Sequence, residues 1–152
     1  RSQDLQIAMA LMQHHLDPFD GINFVDHLVD DPFPGRPEKR VVLHEARWDC
    51  QVSNWITGVM GRTAGVPVWA ESAREIPGLP IVPANADPLT LRAAYTVWDE
   101  GYDALPTGNT PPAAENGAHE TIRRIEAYKE AVAAFVERDE IVNTCAGACD
   151  PE

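Results

Sequence analysis

The chain has 152 residues, is 44% hydrophobic and carries a formal charge of −12. That length suits one domain, residues 1–152, and the apolar fraction is enough for a core. So acidic a chain, with no run of basic residues, offers no counterion-release surface for nucleic acid or anionic membrane, and its longest apolar stretches are far too short to span a bilayer.

Residues 3–16 read as a helix, with Ser2 or Asp4 as cap and Leu5, Ala8, Met9, Met12 and Leu16 on one face. Asp17-Pro18 ends it. His14 and His15 are adjacent and so point to different faces; one exposed and one packed is the expected reading, and a metal role is the alternative. Residues 19–31 form a shorter element with an apolar side drawn from Phe19, Ile22, Phe24 or Val25, and Leu28. Asp30 to Pro37 is a loop by composition. Residues 1–38 are thus a helical lead-in. The start at Arg1-Ser2-Gln3-Asp4 without Met suggests a processed or truncated chain, its signal lost upstream.

Arg40 to His44 is a short apolar run of the kind buried on both faces of a parallel sheet. The period then changes. Val52, Ile56, Val59, Met60 and Thr63 fall on one helical face, Ser53 or Asn54 caps that helix, and Gly65 stops it. Val66 to Ala70 is a second strand. Strand, acid-bearing turn, helix and strand make a βαβ unit over 39–70 and predict an α/β fold with parallel strands and covering helices. Residues 71–90 hold no sustained period and read as an irregular excursion. Leu91 to Trp98 is a third strand. Residues 101–117 form a long loop, of a length usually functional. From His119 to about Arg138 an amphipathic helix presents Ile122, Ile125, Tyr128, Val132, Phe135 and Val136.

Three cysteines are present. Cys145 and Cys149 lie in Cys-Ala-Gly-Ala-Cys within the tail 139–152, and small residues between them let the two thiols meet in a tight loop. No other Cys or His pair has spacing that completes a zinc site, so a disulfide is expected, and with it export to a secreted or periplasmic location. The alternative is two free thiols on the surface. Cys50 is the odd one, a small buried hydrophobe behind the strand or a link to another chain.

In open α/β sheets reactive groups collect at the carboxyl ends of strands. Asp49 lies just past one such end, and His119 lies in the Asn116-Gly117-Ala118-His119 segment that opens the last helix. A buried carboxylate accepting an imidazole Nδ1–H fixes the tautomer and stabilises the imidazolium formed when Nε2 takes a proton. Glu45, Asp99 and Glu100 are the competing acids. His44, inside the strand, reads as a packed histidine. Trp48 and Trp98 are candidate walls of an acyl pocket, though such residues more often simply bury area. Arg47 can pair with Glu45 or reach a partner.

The segment Lys39-Arg40-Val41-Val42-Leu43-His44-Glu45-Ala46-Arg47-Trp48-Asp49-Cys50-Gln51-Val52-Ser53-Asn54, then a helix and Gly65-Val66-Pro67, resembles the C-terminal part of bacterial α/β-hydrolase-fold esterases and lipases. The order acid before histidine matches that family. The resemblance implies an α/β-hydrolase fold completed by an N-terminal half, with Asp49 and His119 as two members of a Ser-His-Asp triad and no cofactor or metal. Ser53 stands where the family has Pro, and the interval from Asp49 to His119 exceeds the family norm. The nucleophile is absent: Ser2, Ser53 and Ser72 are the only serines, and none sits in a Gly-x-Ser-x-Gly elbow. The resemblance therefore implies a C-terminal chain tightly associated with an N-terminal chain of the same hydrolase, which carries the serine and acts on a small-molecule or lipid ester. Two rivals stand beside it: a non-catalytic binding or assembly subunit on the same scaffold, and a metal-binding protein using Cys145, Cys149 and a histidine.

Overall fold

The computed structural model describes residues 2–102 and 112–150. Most of the tip of the expected 101–117 loop lies outside them. Helix α1 spans Ser2–Leu16, and 3₁₀ segments follow at Asp17–Phe19 and Gly21–Leu28. Then come β1 (Val41–Ala46), α2 (Asn54–Thr63), β2 (Val68–Trp69), β3 (Ile81–Val82), β4 (Ala93–Trp98), α3 (Ala118–Thr121), a 3₁₀ turn at Ile122–Arg124, and α4 (Glu126–Arg138). No helix among the described residues is long and apolar enough to cross a membrane.

The fold is α/β. Its sheet has four parallel strands in the order β1-β4-β2-β3. The crossover from β1 through α2 to β2 skips one position, and β4 fills it. The strand buried on both faces is therefore β4, in which every residue is buried, and not β1. Successive side chains of β4 alternate in destination, as the period of two requires. Ala93, Tyr95 and Val97 join a cluster with Val25, Val29, Val66 and Val68, while Ala94 packs with Trp69, Val82 and Ile141 on the other face. Val41 to His44 of β1 are only half-buried, because β1 pairs with β4 alone among the described residues and ends the sheet. The excursion at 71–90 hides β3, whose two residues are too few to show a period.

Helix α2 turns differently from its apolar pattern, and the final helix, whose Ile122, Ile125, Tyr128 and Phe135 do pack inward, breaks midway. In α2 the inward face is Asn54, Gly58 and Gly61, and Val52 and Ile56 stand in solvent at 46% and 43% exposure. The helix lies so close to the sheet that a Cβ on Gly61 would come within 3.0 Å of the Tyr95 ring. Close approach selected the small residues, and of the aliphatic stripe Met60 packs against the main core while Val52 and Ile56 are left outside. Gly65, at φ +67°, ends the helix as expected. The final helix is not continuous. Ile125 adopts an extended ψ of 129° between the 3₁₀ turn and α4, so the segment bends there. Within α4, Ala131 and Ala134 are buried and Val136 is 73% exposed.

Helix α1 forms where its pattern places it, yet none of its residues is buried. Its Leu5, Met9, Met12 and Leu16 stripe and the neighbouring Phe19 are all exposed. Only Val25 and Val29 tie the lead-in to the main core, together with half-buried Ile22 and Leu28.

Cys145 and Cys149 form a disulfide. The loop it closes lies along the end of β4, where Asp99 N–H donates to Cys149 O at 2.8 Å. With both sulfurs bonded to each other they hold no thiolate for a metal, which removes the metal-binding rival as framed. Cys50 is free and half-exposed, not buried behind the strand. Its thiol donates to Glu115 Oε2 at 3.0 Å. That bond pushes the thiol pKa up and the Glu115 carboxyl down.

Candidate active site

In the parallel register Ala46 of β1 stands opposite Trp98 of β4, so the two strands deliver their carboxyl ends side by side. The acid turn begins there. Trp48 adopts φ +65°, a left-handed conformation costly for a bulky residue. Two asparagines hold it. Asn54 Oδ1 accepts the Trp48 N–H at 2.8 Å, and Asn116 Nδ2 donates to the Trp48 carbonyl at 2.8 Å. Asn54 also donates to Ala46 O at 2.6 Å, which fixes the turn to the strand. Asn116 Oδ1 accepts the Ala118 N–H at 3.1 Å, so one side chain ties the acid turn to the segment that presents His119. Gly117, at φ +79°, starts that helix in a conformation glycine accepts freely.

The turn places Asp49 inward, 5% exposed. Its Oδ1 accepts the N–H groups of Gln51 at 2.7 Å and Val52 at 3.0 Å. Its Oδ2 lies 2.8 Å from His119 Nδ1. A carboxylate only accepts, so Nδ1 carries the proton and Nε2 keeps its lone pair. Nε2 lies 2.9 Å from Arg123 Nη2, which can only donate. Asp49 and His119, Glu45 and His44, and Arg123 and Tyr128 line a common cavity of about 180 Å³.

Two of the competing acids, Glu45 and Asp99, have other partners. Glu45 is bound through both oxygens by Arg74, Nε to Oε1 at 2.6 Å and Nη2 to Oε2 at 2.7 Å, and Tyr95 Oη also donates to Oε2. Burial opposes the Arg74 charge, but the hydrogen bonds and charge of Glu45 outweigh it and hold the guanidinium pKa above its ordinary value. Burial, then the Glu45 charge, raises the Tyr95 phenol, which stays a neutral donor. Asp99 pairs with Arg47, whose Nη1 also donates to Tyr102 O at 2.9 Å. Arg47 thus turns to Asp99 and not to Glu45.

His44 packs against Tyr128 at 5.0 Å between ring centroids and accepts the Trp98 indole N–H at 3.1 Å. Its Nε2 is buried without a partner, and burial lowers its pKa to about 4. It is a packed histidine, as its place in the strand predicts. Trp98 lines a different cavity, of about 340 Å³, beside the disulfide, and neither tryptophan lines the cavity at Asp49 and His119.

The sequence places Asp49 and His119, and the fold brings them into contact. The roles of Asn54, Asn116 and Arg123 are less visible in advance. Arg123 falls on the same helical face as His119, four residues on, and that spacing is its only signal. The chain matches no protein-family model, no curated protein and no solved structure.

Proposed function

We propose that this chain is the C-terminal part of a serine hydrolase of the α/β-hydrolase type, acting on carboxylic esters. The observation that carries the reading is the 2.8 Å contact between the buried Asp49 carboxylate and His119 Nδ1 beside the carboxyl ends of parallel strands. A serine on a separate N-terminal chain attacks the ester carbonyl and passes its proton to His119 Nε2. The new Oγ–C bond gives a tetrahedral oxyanion. His119 then returns the proton to the leaving alcohol, and water hydrolyses the acyl-enzyme by the same relay. Asp49 orients the ring and stabilises the imidazolium. Oxyanion donors come from the N-terminal chain.

The outer edge of β1 supports such a partner. Val41, Val42 and Leu43 compose it like an inner strand, yet it has a neighbour on one side only among the described residues. A strand of the N-terminal chain would complete it. The disulfide fits a secreted or periplasmic location. A binding or assembly subunit is the second reading. The bare apolar stripe of α1 and the guanidinium on His119 Nε2 favour it.

The test uses the assembled enzyme. Asp49→Asn should lower ester turnover by about 10⁴-fold and His119→Ala by at least as much. A fluorophosphonate should label the partner chain. Turnover that survives both substitutions unchanged, or labelling of Ser53 or Ser72, would refute the reading and leave the binding subunit.

A further inference from the structure

We infer that Arg123 is an autoinhibitory latch, occupying the proton-accepting nitrogen of His119 until a nucleophile displaces it. The inference rests on the hydrolase reading for its purpose, but the contact stands on its own geometry. An imidazole with Nδ1–H has one in-plane lone pair, on Nε2. Arg123 Nη2 takes it at 2.9 Å. A serine hydroxyl must donate to that same lone pair at about 2.6–3.2 Å, so guanidinium and hydroxyl exclude each other.

The latch is local and reversible. His119, Glu120 and Arg123 lie within little more than one turn, and Arg123 Nη1 also reaches both Glu120 oxygens, at 3.2 and 3.3 Å. The Arg123 side chain is 54% exposed. It can therefore leave Nε2 without burying or stranding a charge, and Glu120 keeps hold of it. A buried arginine, such as the one on Glu45, could not move so cheaply. Arg123 also lines the cavity at Asp49 and His119, so an entering group meets it there. In the unassembled chain the base is capped, and docking of the serine-bearing chain uncaps it.

Carbethoxylation of the full chain by diethyl pyrocarbonate reads this directly. The Nε2 lone pair attacks a carbonyl carbon, the anhydride C–O bond breaks, ethyl carbonate leaves as carbon dioxide and ethanol, and the Nδ1 proton goes to solvent. Peptide mass spectrometry gives the rate at each histidine. His119 should react more slowly than exposed His14 and His15. Arg123→Met keeps the bulk and removes the donors, and it should speed His119 about fivefold while His14 and His15 stay unchanged. An unchanged His119 rate overturns the latch. If His44 also becomes reactive the fold has been lost, and Arg123→Gln replaces the first variant with the same two outcomes. If carbethoxylation responds but ester turnover ignores His119→Ala, the hydrolase reading fails and the Arg123 contact remains.

Discussion

Glu45 and Asp49 leave the same end of β1, and both carboxylates are buried, with side chains 1% and 7% exposed. Their partners differ in kind. Glu45 faces a guanidinium that never gives up its proton, with a phenol as a second donor to Oε2. Asp49 faces an imidazole, the one side chain built to gain and lose a proton near neutral pH, and takes its other bonds from backbone N–H groups. The first arrangement holds α2 and the following loop to the sheet, since Arg74 also donates to Asn54 O at 3.1 Å. The second places Nε2 at a cavity, where the exposed Arg123 guanidinium meets its lone pair at 2.9 Å. One strand end thus carries two buried carboxylates side by side, one held by a guanidinium and one in contact with an imidazole. What separates them is the partner's chemistry, a guanidinium that only donates against an imidazole with one donor and one acceptor nitrogen.

The comparison is broken most severely at the fastening. Arg74→Met removes the cation from a carboxylate whose side chain is only 1% exposed. It should cost about 3–5 kcal/mol in urea denaturation. Adding Glu45→Gln should recover a good part of that, because the uncompensated charge goes with it. A loss under 1 kcal/mol for Arg74→Met would mean that Glu45 is hydrated in solution, and the contrast with Asp49 would dissolve.

His44 sharpens it from a third direction, as a titratable group held away from any charge. Its pKa falls from 6.5 to about 4 because burial penalises the imidazolium. The unfolded chain therefore binds a proton below about pH 6.5 that the folded chain refuses until about pH 4. Stability drops as pH falls through that window, by up to about 3 kcal/mol, and the loss levels off below it. His44→Gln keeps an acceptor for the Trp98 indole and should remove this component. Denaturation midpoints from pH 7 to pH 4 measure it as the slope of wild type minus variant. Equal slopes would show that His44 takes its proton in the folded state as readily as in the unfolded one.

How legible these features are in the sequence depends on whether their cause is local. The acid after an apolar strand and the histidine after a glycine follow from strand ends and turn chemistry, and both stand where the pattern places them. The disulfide follows from five consecutive residues. The inward face of α2 does not, because it is set by tertiary neighbours: Gly61 lies against the Tyr95 ring and Gly58 against the Ile76 and Arg74 side chains. The break at Ile125 carries no glycine or proline to announce it. The rank of β1 in the sheet is a matter of topology: an apolar run predicts burial on both faces, but β4 took the inner place. The left-handed Trp48 is illegible for the same reason, since its conformation is maintained by Asn54 and Asn116 from opposite sides.

The smallest effect tests the Asp49–His119 pair as a structure. His119→Ala deletes the partner of Asp49, as Arg74→Met deletes that of Glu45, yet it should cost only about 1 kcal/mol. Asp49 keeps the Gln51 and Val52 N–H bonds, and the His119 side chain is already 23% exposed on a cavity that water can enter. The vacated space lets solvent reach Oδ2, so the carboxylate is rehydrated and not stranded. Urea midpoints for the two variants, measured side by side, should therefore differ severalfold in their displacement from wild type. Such a difference would also mean that any loss of ester turnover in His119→Ala comes from the missing base and not from a collapsed acid turn. Equal displacements would make the imidazole a second fastening, and the distinction between the two partners would lose its physical content.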